Sequence, residues 1–91
     1  MFTVVCYDIP DNSRRTKVGK VLEGFGARVQ KSVFECDLTA AQQQKLKQRL
    51  GRLIDEGEDS VRYYVLCAQC VPRIEVVSGP PVEKTQPYFL V

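Results

Sequence analysis

Apolar residues recur along this chain in two rhythms, and the alternation between them assigns the elements. Residues 2–7 (FTVVCY) are rich in β-branched and aromatic side chains and read as a strand. Asp8-Ile9-Pro10-Asp11-Asn12 is turn chemistry, with Pro10 blocking strand continuation and Asp11, Asn12 and Ser13 offering helix N-caps. Val18, Val21, Leu22 and Phe25 then fall at helical spacing, and Gly24 and Gly26 close that helix. Residues 28–38 (RVQKSVFECDL) are extended, with a kink expected near Lys31 and Ser32. Thr39 with Gln42 is a capping box that opens a second helix, with Leu46, Leu50, Leu53 and Ile54 on one face. Residues 60–67 (SVRYYVLC) predict another strand, and residues 71–77 (VPRIEVV) a further short one, broken by Ser78-Gly79-Pro80-Pro81.

The order is βαββαβ with a short extra C-terminal strand, which predicts an α+β, ferredoxin-like fold. Residues 1–78 form the domain, and 79–91 form a tail expected to pack on the domain, on a partner chain or on another protein. Helices in this fold cover one face of an antiparallel sheet, and the other face should alternate apolar with polar if it meets water. Residues 2–7 and 63–67 are apolar on both faces, and the chain finishes in YFLV. The expectation is a homodimer packed through its sheet faces.

Composition narrows the chemistry. In 91 residues the chain holds no histidine, which removes the commonest general base, the Ser-His and Cys-His pairs and every His-ligated zinc site. The net charge is only +2, so an affinity for nucleic acid must come from where the cations are placed. No targeting or membrane-spanning run is present, so the cytoplasm is expected and the four cysteines are read as thiols.

Asp8 stands where the first strand gives way to a helix, a position that presents polar groups from a rigid edge. A turn aspartate capping local N–H groups is the commoner role for such a residue. Two copies of Asp8 brought together by a dimer axis make a plausible metal site. Carboxylates about 5 Å apart repel by roughly 3 kcal/mol at an effective dielectric of about 20, which a shared proton or Mg²⁺ would relieve. Arg14, Arg15 and Lys17 crowd the opening of the first helix, with Lys20 a turn later, although helix N-termini favour acids. Exposed N–H groups beside such cations suit a phosphate, and the alternative is a solvated basic face. Lys45, Arg49 and Arg52 form a weaker basic set on the second helix; Lys47 does not align with them. Cys67-Ala68-Gln69-Cys70 is a C-x-x-C with no second pair to complete a zinc site, and it precedes Val71-Pro72 rather than opening a long helix as thioredoxin-like redox pairs do. Cys6 and Cys36 read as small buried apolar groups.

The runs VVCYDIPDNSRRTKV, LEGFGARVQKSVFECDL and RYYVLCAQCVPRIEVV resemble the small CRISPR-associated endoribonuclease family, whose members partner the CRISPR integrase in spacer acquisition. The resemblance implies a ferredoxin-like homodimer acting on RNA or duplex DNA, with one Mg²⁺ held by Asp8 of both chains. It further implies that Tyr7, Arg15, Lys17, Arg28 and Phe34 match positions linked to cleavage. Lys17 departs from an arginine there, keeping charge but losing the bidentate fork. It also implies that the short final strand pairs with the partner subunit. Some members of that family cut nucleic acid with a divalent metal, and others act mainly as a scaffold for the DNA to be integrated. A toxin-type ribonuclease and a small-molecule regulatory module are the competing readings of the same fold.

Overall fold

The computed structural model describes residues 1–83. Strand β1 (Phe2–Asp8) leads to helix α1 (Asn12–Glu23), strands β2 (Ala27–Gln30) and β3 (Val33–Asp37), helix α2 (Ala40–Leu53) and strand β4 (Ser60–Leu66). The sheet is antiparallel in the order β2-β3-β1-β4, so the first strand is central and β2 and β4 are the edges. This is the βαββαβ ferredoxin-like arrangement expected. The kink near Lys31 is the β2–β3 hairpin, with a bulge between Arg28 and Gln30.

Local chemistry sets the helix ends. The Asp11 side chain accepts from the Arg14 N–H at 2.8 Å and starts α1. Thr39 and Gln42 form the reciprocal capping box of α2. Both helices cover one face of the sheet. Val5, Tyr7, Phe34 and Cys36 meet Val18 and Leu22 of α1 and Leu46 and Leu50 of α2, all nearly or fully buried. Successive strand residues point to opposite faces, so Thr3 also faces the helices. Its buried hydroxyl donates to Gln43 Oε1 at 2.8 Å, which lets a polar pair sit within the core. Gly26 is needed for close approach rather than for a left-handed turn. A Cβ there would stand 2.3 Å from the Glu35 carbonyl oxygen and 2.5 Å from Cys36 Sγ.

Two expectations change. Residues 71–77 do not form a strand. Val71–Arg73 is a 3₁₀ turn, and residues 74–83 have no regular structure. Pro72 has no N–H to give a ladder, and the N–H groups of Arg73 and Ile74 are spent on Cys70 and Val71 carbonyls at 2.9 and 3.1 Å. The outer face of the sheet is also partly covered by the chain itself. Phe2, on that face, is only 4% exposed and shares a pocket with Val71 and Leu66. Residues 74–80 come back over Val29, Gln30 and Glu35 and line a cavity of about 350 Å³ with them. Part of the apolar excess that suggested a second copy is therefore satisfied within one chain, while Tyr64 stays 46% exposed. Of the expected tail 79–91, residues 84–91 lie outside the described residues.

Candidate nucleic-acid site

Asp8 ends β1 opposite Ser60, on the face away from the helices. It is exposed, and among the described residues its carboxylate makes no hydrogen bond or ion pair. The local capping role that a turn aspartate would fill belongs to Asp11 instead. Asp8 is thus a carboxylate at a rigid strand end with no structural partner among the described residues. Among the described residues no three potential metal ligands gather. One exposed carboxylate nonetheless suits Mg²⁺, which keeps most of its waters and binds through one or two carboxylates plus substrate phosphates.

Tyr7 points the other way, under the helices, and is 6% exposed. Its ring stacks on Phe34 at 6.3 Å, and its hydroxyl lies 3.3 Å from Arg28 Nη1. The Arg28 guanidinium lies 4.6 Å above the Phe34 ring, donates to the Lys31 carbonyl oxygen, and faces Glu23 at 3.7 Å. Phe34 has no exposed surface, so it cannot touch a substrate; it holds Arg28 in place. The sequence reading missed Gly19, which makes this packing possible. A Cβ at Gly19 would stand 2.7 Å from Arg28 Nη2. A glycine in a helix interior, unfavourable by about 1 kcal/mol relative to alanine, was the available signal.

Tyr7, Arg15, Lys20, Glu23, Arg28 and Lys31 line one open cleft of about 410 Å³ between α1 and the β2–β3 turn. Four cations and one acid give it a net positive character. Arg15 also braces the loop behind Asp8, donating to the carbonyl oxygens of Ile9 (2.8 Å) and Pro10 (3.3 Å) and to Asn12 Oδ1 (2.6 Å). Lys17 is exposed but does not line the cleft.

Arg14, grouped with the phosphate-binding cations from sequence, is engaged elsewhere. Its Nε and Nη2 grip Asp59 at 2.9 and 3.1 Å, and Nη2 also reaches Glu58 at 3.1 Å. This bidentate pair ties the start of α1 to the loop before β4. The Arg14 hydrogen bonds hold the Asp59 carboxyl below the usual carboxylate range. A depressed folded-state pKa adds stability that is present above the unfolded value, about 3.9, and is lost as pH falls through the folded value. Asp59→Asn is therefore expected to unfold at lower urea than wild type at neutral pH, with the gap closing below about pH 4. A gap unchanged by acid would show that Asp59 does not act through this pair.

On α2, Arg49 rests 5.8 Å from the Phe25 ring centroid, Lys45 and Arg52 are exposed, and Arg52 stands in the last turn, where the helix dipole favours a cation. The C-x-x-C lies past the far end of β4. Asp8 pairs with Ser60 and Phe2 with Leu66, so Cys67 is about a seven-residue strand away from Asp8, roughly 20 Å.

A family profile described as CRISPR associated protein Cas2 matches residues 1–74. The chain belongs to the Cas2 family. A Cas2 relative from Chloroflexus aurantiacus, named CRISPR-associated endoribonuclease Cas2 1, is 47% identical over the full length of both chains. Streptococcus pyogenes Cas2, solved at pH 6.5, superposes with a TM-score of 0.77 at 37% identity, covering 86% of this chain and all of that one. A Cas2-like chain from a structure described as a partial Cas6-RT-Cas1--Cas2 complex matches with a TM-score of 0.75 at 27% identity, over 93% of this chain and all of that one. Among the described residues, no helix of this Cas2-family chain is long and apolar enough to cross a membrane.

Proposed function

We propose that this Cas2-family chain works in CRISPR spacer acquisition as a homodimer that binds nucleic acid, partners the integrase, and cleaves single-stranded RNA or duplex DNA with a divalent metal. The observation that carries the reading is the exposed Asp8 carboxylate at the end of β1, without a partner among the described residues and next in sequence to a residue of the cationic cleft. Relatives named endoribonuclease or endonuclease, and a relative's presence in a Cas1–Cas2 complex, support it.

In this reading Asp8 of both chains would hold Mg²⁺, which would supply an activated water and screen charge on the phosphodiester. Asp8 fixes the ion at a strand end, where the backbone is rigid. Arg15, Lys20, Arg28 and Lys31 take the phosphates on either side and align the backbone for in-line attack. Lys17 and the α2 cations Lys45, Arg49 and Arg52 extend the surface along a duplex. Phe34 positions Arg28 from beneath, and Tyr7 does so from the cleft wall, where its hydroxyl is within reach of the same phosphates.

A second reading, a scaffold that grips the DNA without cutting it, is favoured by the cleft alone, which is complete without Asp8. Salt separates binding from chemistry. Duplex affinity is expected to fall log-linearly with salt, with a slope of about −0.9 per phosphate neutralised. Arg28→Ala and Lys20→Ala should each make that slope shallower by about one. Binding indifferent to salt would remove both readings. Cleavage that needs Mg²⁺ and stops with chelator decides for the enzyme.

A further inference from the structure

Cys67 and Cys70 stand apart from everything the proposed function uses. They sit beyond the end of β4, both exposed, at the point where the chain leaves the sheet for its C-terminal segment. Their sulfurs are 3.3 Å apart. The intervening residues form a tight turn, with the Cys70 N–H donating to the Cys67 carbonyl oxygen at 2.9 Å and the Val71 N–H to the same oxygen at 3.1 Å. Such a turn keeps its first and fourth Cα atoms within about 7 Å, which overlaps the roughly 4.4–6.8 Å span of a disulfide. Closing the sulfurs to about 2.05 Å needs side-chain rotation and little backbone movement.

A zinc site does not fit this placement. Zinc needs four ligands, and among the described residues no third His, Cys, Asp or Glu gathers with this pair. The other cysteines are poor competitors. Cys36 is buried, and burial pushes its thiol up to about 11. Cys6 is half-buried in β1.

We propose that Cys67 and Cys70 are a reversible dithiol–disulfide couple that fixes the turn from which the C-terminal segment departs. The roles of the two sulfurs differ. Contact with the Cys70 thiol, and then the backbone N–H groups of Cys70 and Gln69, hold the Cys67 thiol below its usual range, while the same contact raises Cys70. Cys67 thiolate attacks a low-molecular-weight disulfide, forming a mixed disulfide and releasing one thiolate. Cys70, losing its proton, then attacks the Cys67 sulfur and releases the second thiolate. The balance is one protein dithiol and one small disulfide giving one protein disulfide and two small thiols; a reducing dithiol reverses it. Residues 71–73 follow the turn directly, and Val71 is buried beside Phe2, so closure tightens the anchor of the segment that lies over β2 and β3.

The test uses the full-length chain with oxidised glutathione, read by intact mass and maleimide labelling. Wild type should lose two hydrogens and, labelled after unfolding, keep two of its four thiols reactive, with the bond mapped to peptide 67–70. Cys70→Ser should stop at a mixed disulfide on Cys67. Cys67→Ser should form no internal disulfide and stop at a mixed disulfide on Cys70. Amide exchange at Val71, Arg73 and Ile74 should slow on oxidation and recover with reductant. Four free thiols after oxidant, a mixed disulfide that never resolves in wild type, a bond between chains, or thiols silent until a chelator removes a metal would each overturn the proposal.

Discussion

Asp8→Ala protein is expected to fold as wild type does and to cleave about 10³-fold more slowly in Mg²⁺. The size follows from what the carboxylate does. A metal that stabilises the transition-state charge contributes several kcal/mol, and each factor of ten in rate is about 1.4 kcal/mol. Removing the group that fixes the ion forfeits most of that. Stability should barely change, within about 0.5 kcal/mol, because Asp8 is exposed and holds no partner among the described residues. The two readouts must be taken together, as thermal unfolding and single-turnover cleavage of RNA and duplex DNA. A variant that melts with wild type and cuts as fast would end the nuclease reading and leave the scaffold. Duplex binding should survive the substitution in either case, because the cationic cleft does not include Asp8.

Phe34→Ala is expected to lower stability by about 3–5 kcal/mol, the usual range for deleting a fully buried aromatic ring. Phe34 has no exposed surface, stacks on Tyr7 and carries the Arg28 guanidinium over its ring. Domains of this size are stable by about 5–15 kcal/mol, so the loss takes much of the margin. It corresponds to a melting temperature lower by at least about 12 °C. Phe34→Leu should recover part of the stability and little of the salt-dependent binding, because leucine fills volume without offering Arg28 a ring face. Equal recovery of both would show that the ring serves packing alone.

Much of the fold was legible because local signals agreed with one another. Asp11 and the Thr39–Gln42 box begin the helices where the sequence placed caps. The leucines of α2 at helical spacing are its buried side. Residues 71–77 misled because VPRIEVV has the composition of a strand, whereas Pro72 and the short-range hydrogen bonds around it decide the backbone. The candidate site was legible as a set of residue types and not as a geometry. Tyr7 and Asp8 are neighbours in sequence, and the pleat sends them to opposite faces. Arg14 belongs to the same basic run as Arg15, but only the folded chain brings Asp59 to it, 45 residues later. Gly19 escaped notice because its purpose lies in Arg28, on another element.

The opposed directions of Tyr7 and Asp8 constrain how this chain can drift. Inserting or deleting one residue within β1 would turn the phenol out to solvent and drive the carboxylate beneath the helices. Two-residue changes preserve parity but shift the strand against both of its neighbours, since β1 is paired along its length with β4 and for five residues with β3. Length variation among descendants of this sequence should therefore collect in the turns between elements and at the C-terminal end, while the first eight positions change by substitution alone.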